Sequence, residues 1–168
     1  MKKIIVSAVL LLGFVICSQA QKISQNALGI RIGDNSGFGG EISCQRKLAQ
    51  KNRLEFDLGW RNRSNYYGEG VTDNAVKLTG LYQWIWNIDK GFNWYAGVGA
   101  GLGSWNHEYK NNYKENGSFA FVAGDIGVEY HFDIPLLVSL DFRPEFGGNT
   151  YYSNHYGSDI ALGVRYLF

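Results

Sequence analysis

Ile160-Ala161-Leu162-Gly163-Val164-Arg165-Tyr166-Leu167-Phe168 closes the chain, and every even position in it is large and apolar while the odd ones include Gly163 and Arg165. Side chains of an extended strand alternate between its two faces, so this stretch predicts a two-faced β-strand. The same division recurs from Leu136 to Phe146, with Leu136, Val138, Leu140, Phe142 and Phe146 on one face and Ser139, Asp141, Arg143 and Glu145 on the other. Working back along the chain, the alternation predicts eight strands, at 27–33, 37–46, 53–62, 74–86, 92–104, 118–132, 136–146 and 158–168. Connections 47–52, 87–91 and 133–135 are short, whereas 63–73, 105–117 and 147–157 on the opposite side are long, apart from 34–36. An even number of alternating strands with short and long ends in turn predicts an all-β fold, an eight-stranded antiparallel up-and-down barrel that closes without an edge.

Composition supports one such domain and excludes other classes. A chain of 168 residues leaves room for a single core. Its 16 Lys+Arg against 15 Asp+Glu argue against a basic nucleic-acid binder, so no nucleic-acid partner is expected. An aromatic content of 15% is too high for a flexible polar tail. Residues 1–20 read as a signal peptide: Lys2 and Lys3, an apolar run from Ile4 to Ile16, and Ser18-Gln19-Ala20 at the cleavage site. Cleavage removes Cys17 and leaves Cys44 as a lone cysteine in a barrel domain spanning 21–168, so no internal cross-link is expected.

Periodicity alone fits two opposite barrels, one soluble with an apolar cavity and one embedded in lipid. Side-chain size separates them. The even-numbered face carries Leu28, Ile30, Ile32, Ile42, Leu54, Phe56, Leu58, Val76, Leu78, Val98, Leu102, Val122, Ile126 and Val128 without a charge. The odd-numbered face carries most of the strand glycines, among them Gly29, Gly59, Gly97, Gly99, Gly101, Gly103, Gly127 and Gly163, mixed with ions. Small residues belong where space is scarce, inside a narrow barrel, and a bulky uncharged surface belongs against hydrocarbon. A strand of about 10 residues tilted by about 40° covers roughly 25 Å, the height of the apolar band in such barrels. Aromatic girdles are expected at its rims: Trp84, Trp86, Trp94, Tyr130, Phe132, Tyr166 and Phe168 on the periplasmic side, and Phe38, Trp60, Trp105 and Phe146 on the outer side.

With a leader, eight strands and a terminal Tyr166-Leu167-Phe168, the chain resembles the small outer-membrane β-barrel proteins of the OmpX and OmpA-barrel type. The resemblance implies a location in the bacterial outer membrane after export, and a monomer in contact with outer-membrane lipid. It also implies that the barrel-assembly machinery reads the last strand, through Ile160, Leu162, Val164, Tyr166 and Phe168.

The lumen face gathers Arg31, Arg61, Lys77, Arg143 and Arg165 against Glu41, Glu55, Asp57, Asp125, Glu129, Asp141 and Glu145. Ions taken from water into a narrow interior must pair, so a network filling the barrel is expected, with Gln45, Thr79 and Gln83 joining it; a proton or ion path is the alternative. Gly97-Val98-Gly99-Ala100-Gly101-Leu102-Gly103 is a strand face and lacks the spacing of a nucleotide loop. His107, His131 and His155 are the obvious general bases, and Ser153, His155 and Asp159, or Ser104 and His107, are the candidate groups for a lipid-modifying acyltransferase or deacylase. The first group reverses the His-x-Ser order of the deacylases and sits among ordinary turn residues, the histidines lack paired ligand spacing, and no enzymatic role, cofactor or metal is expected. Tyr66, Tyr67, Tyr109, Tyr113, Tyr151, Tyr152 and Tyr156 among Asn, Ser and Gly suit a surface contact with an extracellular ligand.

Overall fold

The computed structural model describes residues 26–35, 38–66, 71–109, 113–147 and 156–168. Within them the chain forms β1 (Asn26–Asn35), β2 (Phe38–Ala49), β3 (Asn52–Tyr66), β4 (Val71–Asp89), β5 (Phe92–Glu108), β6 (Lys114–His131), β7 (Leu136–Gly147) and β8 (Tyr156–Leu167). Each strand pairs antiparallel with its sequence neighbour, and β1 pairs with β8 from Ala27–Leu167 to Gly33–Ala161, closing the barrel. Backbone bonds between Asn26 and Phe168, at 3.1 and 3.0 Å, fasten the two ends of the described chain. Residues 1–20, read above as a signal peptide, lie outside the described residues.

Parity sorts the side chains. Leu102 is 62% exposed and Ile160 66%, and the same outward face carries Ile30, Ile42, Val98, Val122, Ile126 and Leu140, whereas Asp57, Thr79, Arg143 and Glu145 are fully buried. A closed barrel that shows its apolar side chains outward and hides its ions has the solvent preference of a membrane-spanning barrel.

The inner strand ends are joined tightly. In the β4–β5 turn Gly91 adopts φ 76°, where an L side chain is strained, and Asp89 accepts a 2.7 Å bond from the Lys90 amide. At the other end β3 to β6 run several residues further than the alternation predicted, so much of 63–73 and 105–117 is strand rather than loop. Both faces are polar there, so the apolar period vanishes while the hydrogen-bonded ladder continues.

Interior glycines make room for rings and for the opposing backbone. Gly101 lies opposite Phe121, Gly103 opposite Phe119 and Gly127 opposite Tyr95. A Cβ on Gly127 would meet the Tyr95 ring at 2.5 Å. At Gly99 the obstacle is the main chain of β4: a Cβ would fall on the Gly80 carbonyl oxygen and 2.8 Å from the Leu81 Cα. Gly99→Val is therefore expected to lower the unfolding free energy by about 1–3 kcal/mol, in urea titrations followed by tryptophan fluorescence. Gly40→Ala is the matched control, because nothing lies within 4 Å of a Cβ placed there.

Two girdle residues turn out differently. Phe38 is 1% exposed and points into the barrel. A register shift between Ile32 and Asn35, opposite Gly39-Gly40, breaks the alternation at this end of β2. Trp105 also faces the interior, as its odd position in β5 requires; its ring packs over Gly117, where a Cβ would meet it at 2.7 Å. The other girdle residues are where the alternation puts them. On the inner rim Trp86 stacks on Trp94 at 4.2 Å, Tyr130 meets Phe132 edge-on at 4.8 Å, Tyr166 lies 6.5 Å from Phe168, and Trp84 is 5.0 Å from Tyr82. Trp60 and Phe146 stand exposed on the outer rim, Phe146 beside Tyr156 at 5.2 Å. Cys44 lies on the outward face of β2, opposite Leu28 and Phe56.

Candidate functional site

Three tiers of side chains fill the interior between the described strands. The middle tier is ionic and is built by inward positions of β1, β2, β3, β4, β6, β7 and β8. Arg31 on β1 donates from Nε to Asp141 (3.0 Å) and from Nη1 to Glu41 (3.0 Å) and Asp159 (2.6 Å); its Nη2 also meets Asp141. Arg143 on β7 reaches Glu55 at 2.9 Å, Asp57 at 2.8 Å and Glu41 at 3.4 Å, with Asp125 at 3.9 Å. Lys77 bridges Glu41 (3.1 Å) and Glu145 (3.0 Å), and Arg165 reaches Glu55 (3.3 Å) while donating to Ser43 and Ser139. Gln45 donates to Glu55, and Gln83 to Glu55 and Asp125.

All of these ions are nine-tenths buried or more, as are Arg61 and Glu129. Desolvating each one costs several kcal/mol, and the shared partners offset that cost. Glu41 serves three cations and Glu55 two, so the tier behaves as one lattice and not as separable pairs.

Arg53, Asp73 and Asp159 also belong to the buried ions, bringing the described interior to six cations and nine acids. Arg53 and Asp159 have the odd parity of the lumen face, which is the signal that identifies them. Asp73 falls in a stretch read as loop, where it now binds Arg61 at 2.6 Å and His107 at 3.2 Å.

Toward the outer end an apolar cluster lies beside the Arg61–Asp73 pair. Phe38, Ala75, Leu81, Phe119, Phe121 and Ala123 cluster with Trp105 packed against them. Arg61 and Lys77 each lie 5.1 Å from the Phe38 ring centroid, so cation–π contacts join this cluster to neighbouring ions. The inner tier is an open cavity of about 490 Å³ near the chain ends, bordered by Arg53 and Glu129.

Among the described residues, the catalytic candidates are not brought together. Ser104 is exposed on the outward face while His107 points inward onto Asp73, so the two are on opposite sides of β5. Asp159 is held by Arg31, and Ser153 and His155 lie outside the described residues. His131 pairs with Glu129 at 3.1 Å on the inner rim. Among the described residues no group of three His, Cys, Asp or Glu side chains is placed to hold a metal ion.

The outer face of β3 to β6 is ordered beyond the apolar band. Asn62 pairs with Asn74, Asn74 with Asn106 and Asn106 with Asn116, giving one exposed row of asparagines across four strands. Asn62 donates to Asn74 at 2.5 Å. Beside this row stand Trp60 and Val76, then Ser104 and Ser118. Tyr109 and Tyr113 close the β5–β6 end with rings 5.7 Å apart, and Tyr67, Tyr151 and Tyr152 lie outside the described residues.

A closed ring of eight antiparallel strands, apolar outside and ionic within, is the architecture of the small outer-membrane β-barrels. Among solved structures the chain is similar to the N-terminal β-barrel domain of Pseudomonas aeruginosa OprF (TM-score 0.61, 15% identity, 86% of this chain and 98% of that one). It is also similar to Neisserial surface protein A (TM-score 0.60, 12% identity, 85% and 94%). A third is Ail, the attachment invasion locus protein of Yersinia pestis, in complex with the heparin analogue sucrose octasulfate (TM-score 0.58, 11% identity, 85% and 96%). At these identities the likeness is one of fold. No family model and no curated protein matches the sequence.

Proposed function

We propose that the chain is a non-catalytic, monomeric protein of the bacterial outer membrane that works as a surface-contact module, with the filled barrel as its mount. Its leader at 1–20 directs export, and the barrel-assembly machinery reads Ile160, Leu162, Val164, Tyr166 and Phe168, whose side chains line the outward face and end of β8. The outward apolar face supports contact with outer-membrane lipid.

The observation that carries the surface role is the asparagine row: Asn62, Asn74, Asn106 and Asn116 stand in register past the apolar band, where strands would otherwise end. Each amide presents both a donor and an acceptor, and Trp60 adds an exposed ring beside them. The contact region comprises this face with segments 63–73, 105–117 and 147–157. Two of its described cations sit beside acids, Arg61 on Asp73 and Lys114 on Glu108 at 2.9 Å. That balance favours a neutral, hydroxyl-rich partner such as an uncharged glycan over a polysulfated one. The buried, mutually paired ions and the apolar cluster beside them weigh against the ion-conducting alternative, and the separation of Ser104 from His107 weighs against the lipid-modifying enzyme.

Nanodisc-embedded protein on an array of immobilised neutral and sulfated glycans tests this. Binding to neutral members, weakened about tenfold by Asn74→Ala with Asn106→Ala, is the expected result, since each lost amide removes roughly one net hydrogen bond. Binding confined to sulfated members, or unchanged in the double variant, would refute it, as would stepwise currents in planar bilayers.

A further inference from the structure

We infer that the inner mouth of the barrel is a binding site for an oxyanion, phosphate or carboxylate, carried on a small amphipathic molecule, with the Arg53 guanidinium as its anchor. The cavity there, about 490 Å³, falls within the roughly 300–1,000 Å³ of small-molecule sites. Its apolar wall comes from inward positions near the chain ends, Ala27, Ile85, Leu137 and Leu167. Lys47, Lys51 and Arg53 supply positive charge, and Glu129 is the lining acid.

The buried charge keeps one donor unused. Arg53 is 4% exposed, and three sides of its guanidinium are already fixed. Nε donates to Gln83 Oε1 at 2.5 Å, Nη1 donates to Glu129 Oε2 at 2.5 Å, and the Tyr95 ring lies 4.6 Å beneath. Nη2 has no partner. A planar group locked on three sides with one unused donor is preorganised for an oxygen ligand. Glu129 is itself engaged: besides Arg53 it meets Asn93 at 3.4 Å and His131 at 3.1 Å. Lys47 and Lys51 stand exposed at the mouth with no acidic partner among the described residues. The cavity thus combines an apolar wall, one fixed buried cation and two mobile ones, which matches an anionic head on a short hydrocarbon. Such a head comes either from a soluble periplasmic solute or from an anionic lipid of the inner leaflet.

The test is a titration of the full mature barrel in maltoside micelles with inorganic phosphate and with butyl phosphate, read from the Arg53 Nε and His131 NMR signals. Butyl phosphate is expected to bind about tenfold more tightly than phosphate, because its chain covers apolar wall. Arg53→Gln, and separately Lys47→Ala with Lys51→Ala, should each weaken it about tenfold. The lysine pair is solvent-exposed, so that variant keeps the test valid should Arg53→Gln impair folding. Signals that stay fixed up to about 10 mM of either probe, or binding indifferent to the lysine variant, overturn the inference. In nanodiscs, butyl phosphate affinity lower with phosphatidylglycerol than with phosphatidylcholine supports the site with a lipid headgroup as occupant. Equal affinity in the two supports the site with a soluble occupant.

Discussion

Arg143→Ala is expected to lower the unfolding free energy by about 3–5 kcal/mol, the range for removing one partner from a buried ionic cluster. Arg143 is fully buried and lies against Glu55, Asp57 and Glu41, with Asp125 at 3.9 Å. Truncation leaves these acids facing one another with no water to screen them. Glu41 and Glu55 keep other cations, Arg31 and Lys77 for the first and Arg165 for the second. Asp57 and Asp125 have no second ion pair among the described residues, so they bear most of the effect. A double variant, Arg143→Ala with Asp57→Ala, should therefore lose less than the sum of its two single variants. The measurement is urea unfolding in lipid vesicles, paired with the temperature at which the heat-modifiable gel shift disappears. Additive losses would show that the tier consists of independent pairs.

Leu140→Arg is expected to cost about 2–4 kcal/mol in vesicles, the range for a cation on the lipid face near the bilayer midplane. Leu140 is 50% exposed and sits midway along β7, between the rims marked by Leu136 and Phe146, with Val128 and Leu162 beside it on the adjacent strands. Its sequence neighbour Asp141 points the other way, onto Arg31. A spectroscopic label at position 140 should report hydrocarbon and one at 141 the packed interior. If Leu140→Arg were as stable as the parent in vesicles, or the two labels reported the reverse, the assignment of faces would fall.

Those two adjacent residues show why so much of the barrel can be read from the chain. In the membrane-spanning stretch, hydrocarbon on one side and a crowded axis on the other impose a two-residue period that leaves little freedom, and the twelve ions placed on the lumen face from sequence are all buried. Arg53 and Asp159 followed the same parity but lay at predicted strand ends, where a single residue decides inclusion. Beyond the lipid, water wets both faces of the wall, so Asn62, Asn74, Asn106 and Asn116 look like loop residues although they lie in continuous ladders. Phe38 needs knowledge of a local irregularity: a one-residue shift opposite Gly39-Gly40 inverts its direction, and no hydrophobicity pattern encodes that. Trp105 is the opposite case, since its odd position already pointed inward and only its nearness to the rim suggested a girdle. The cavity at the inner mouth has no motif, because its wall and its cations come from separate strands and a turn.

β1, the shortest strand, is held by two brief ladders, one of them interrupted near Asn35 and the other ending at Gly33–Ala161. In water such a stave could peel away, since every amide it released would find a solvent molecule. Hydrocarbon offers none, and each stranded amide there costs several kcal/mol. The bilayer is thus the clasp of this seam: the cylinder stays shut because of where it is immersed, and extraction into a hydrated environment would loosen it first along the line where its two ends meet.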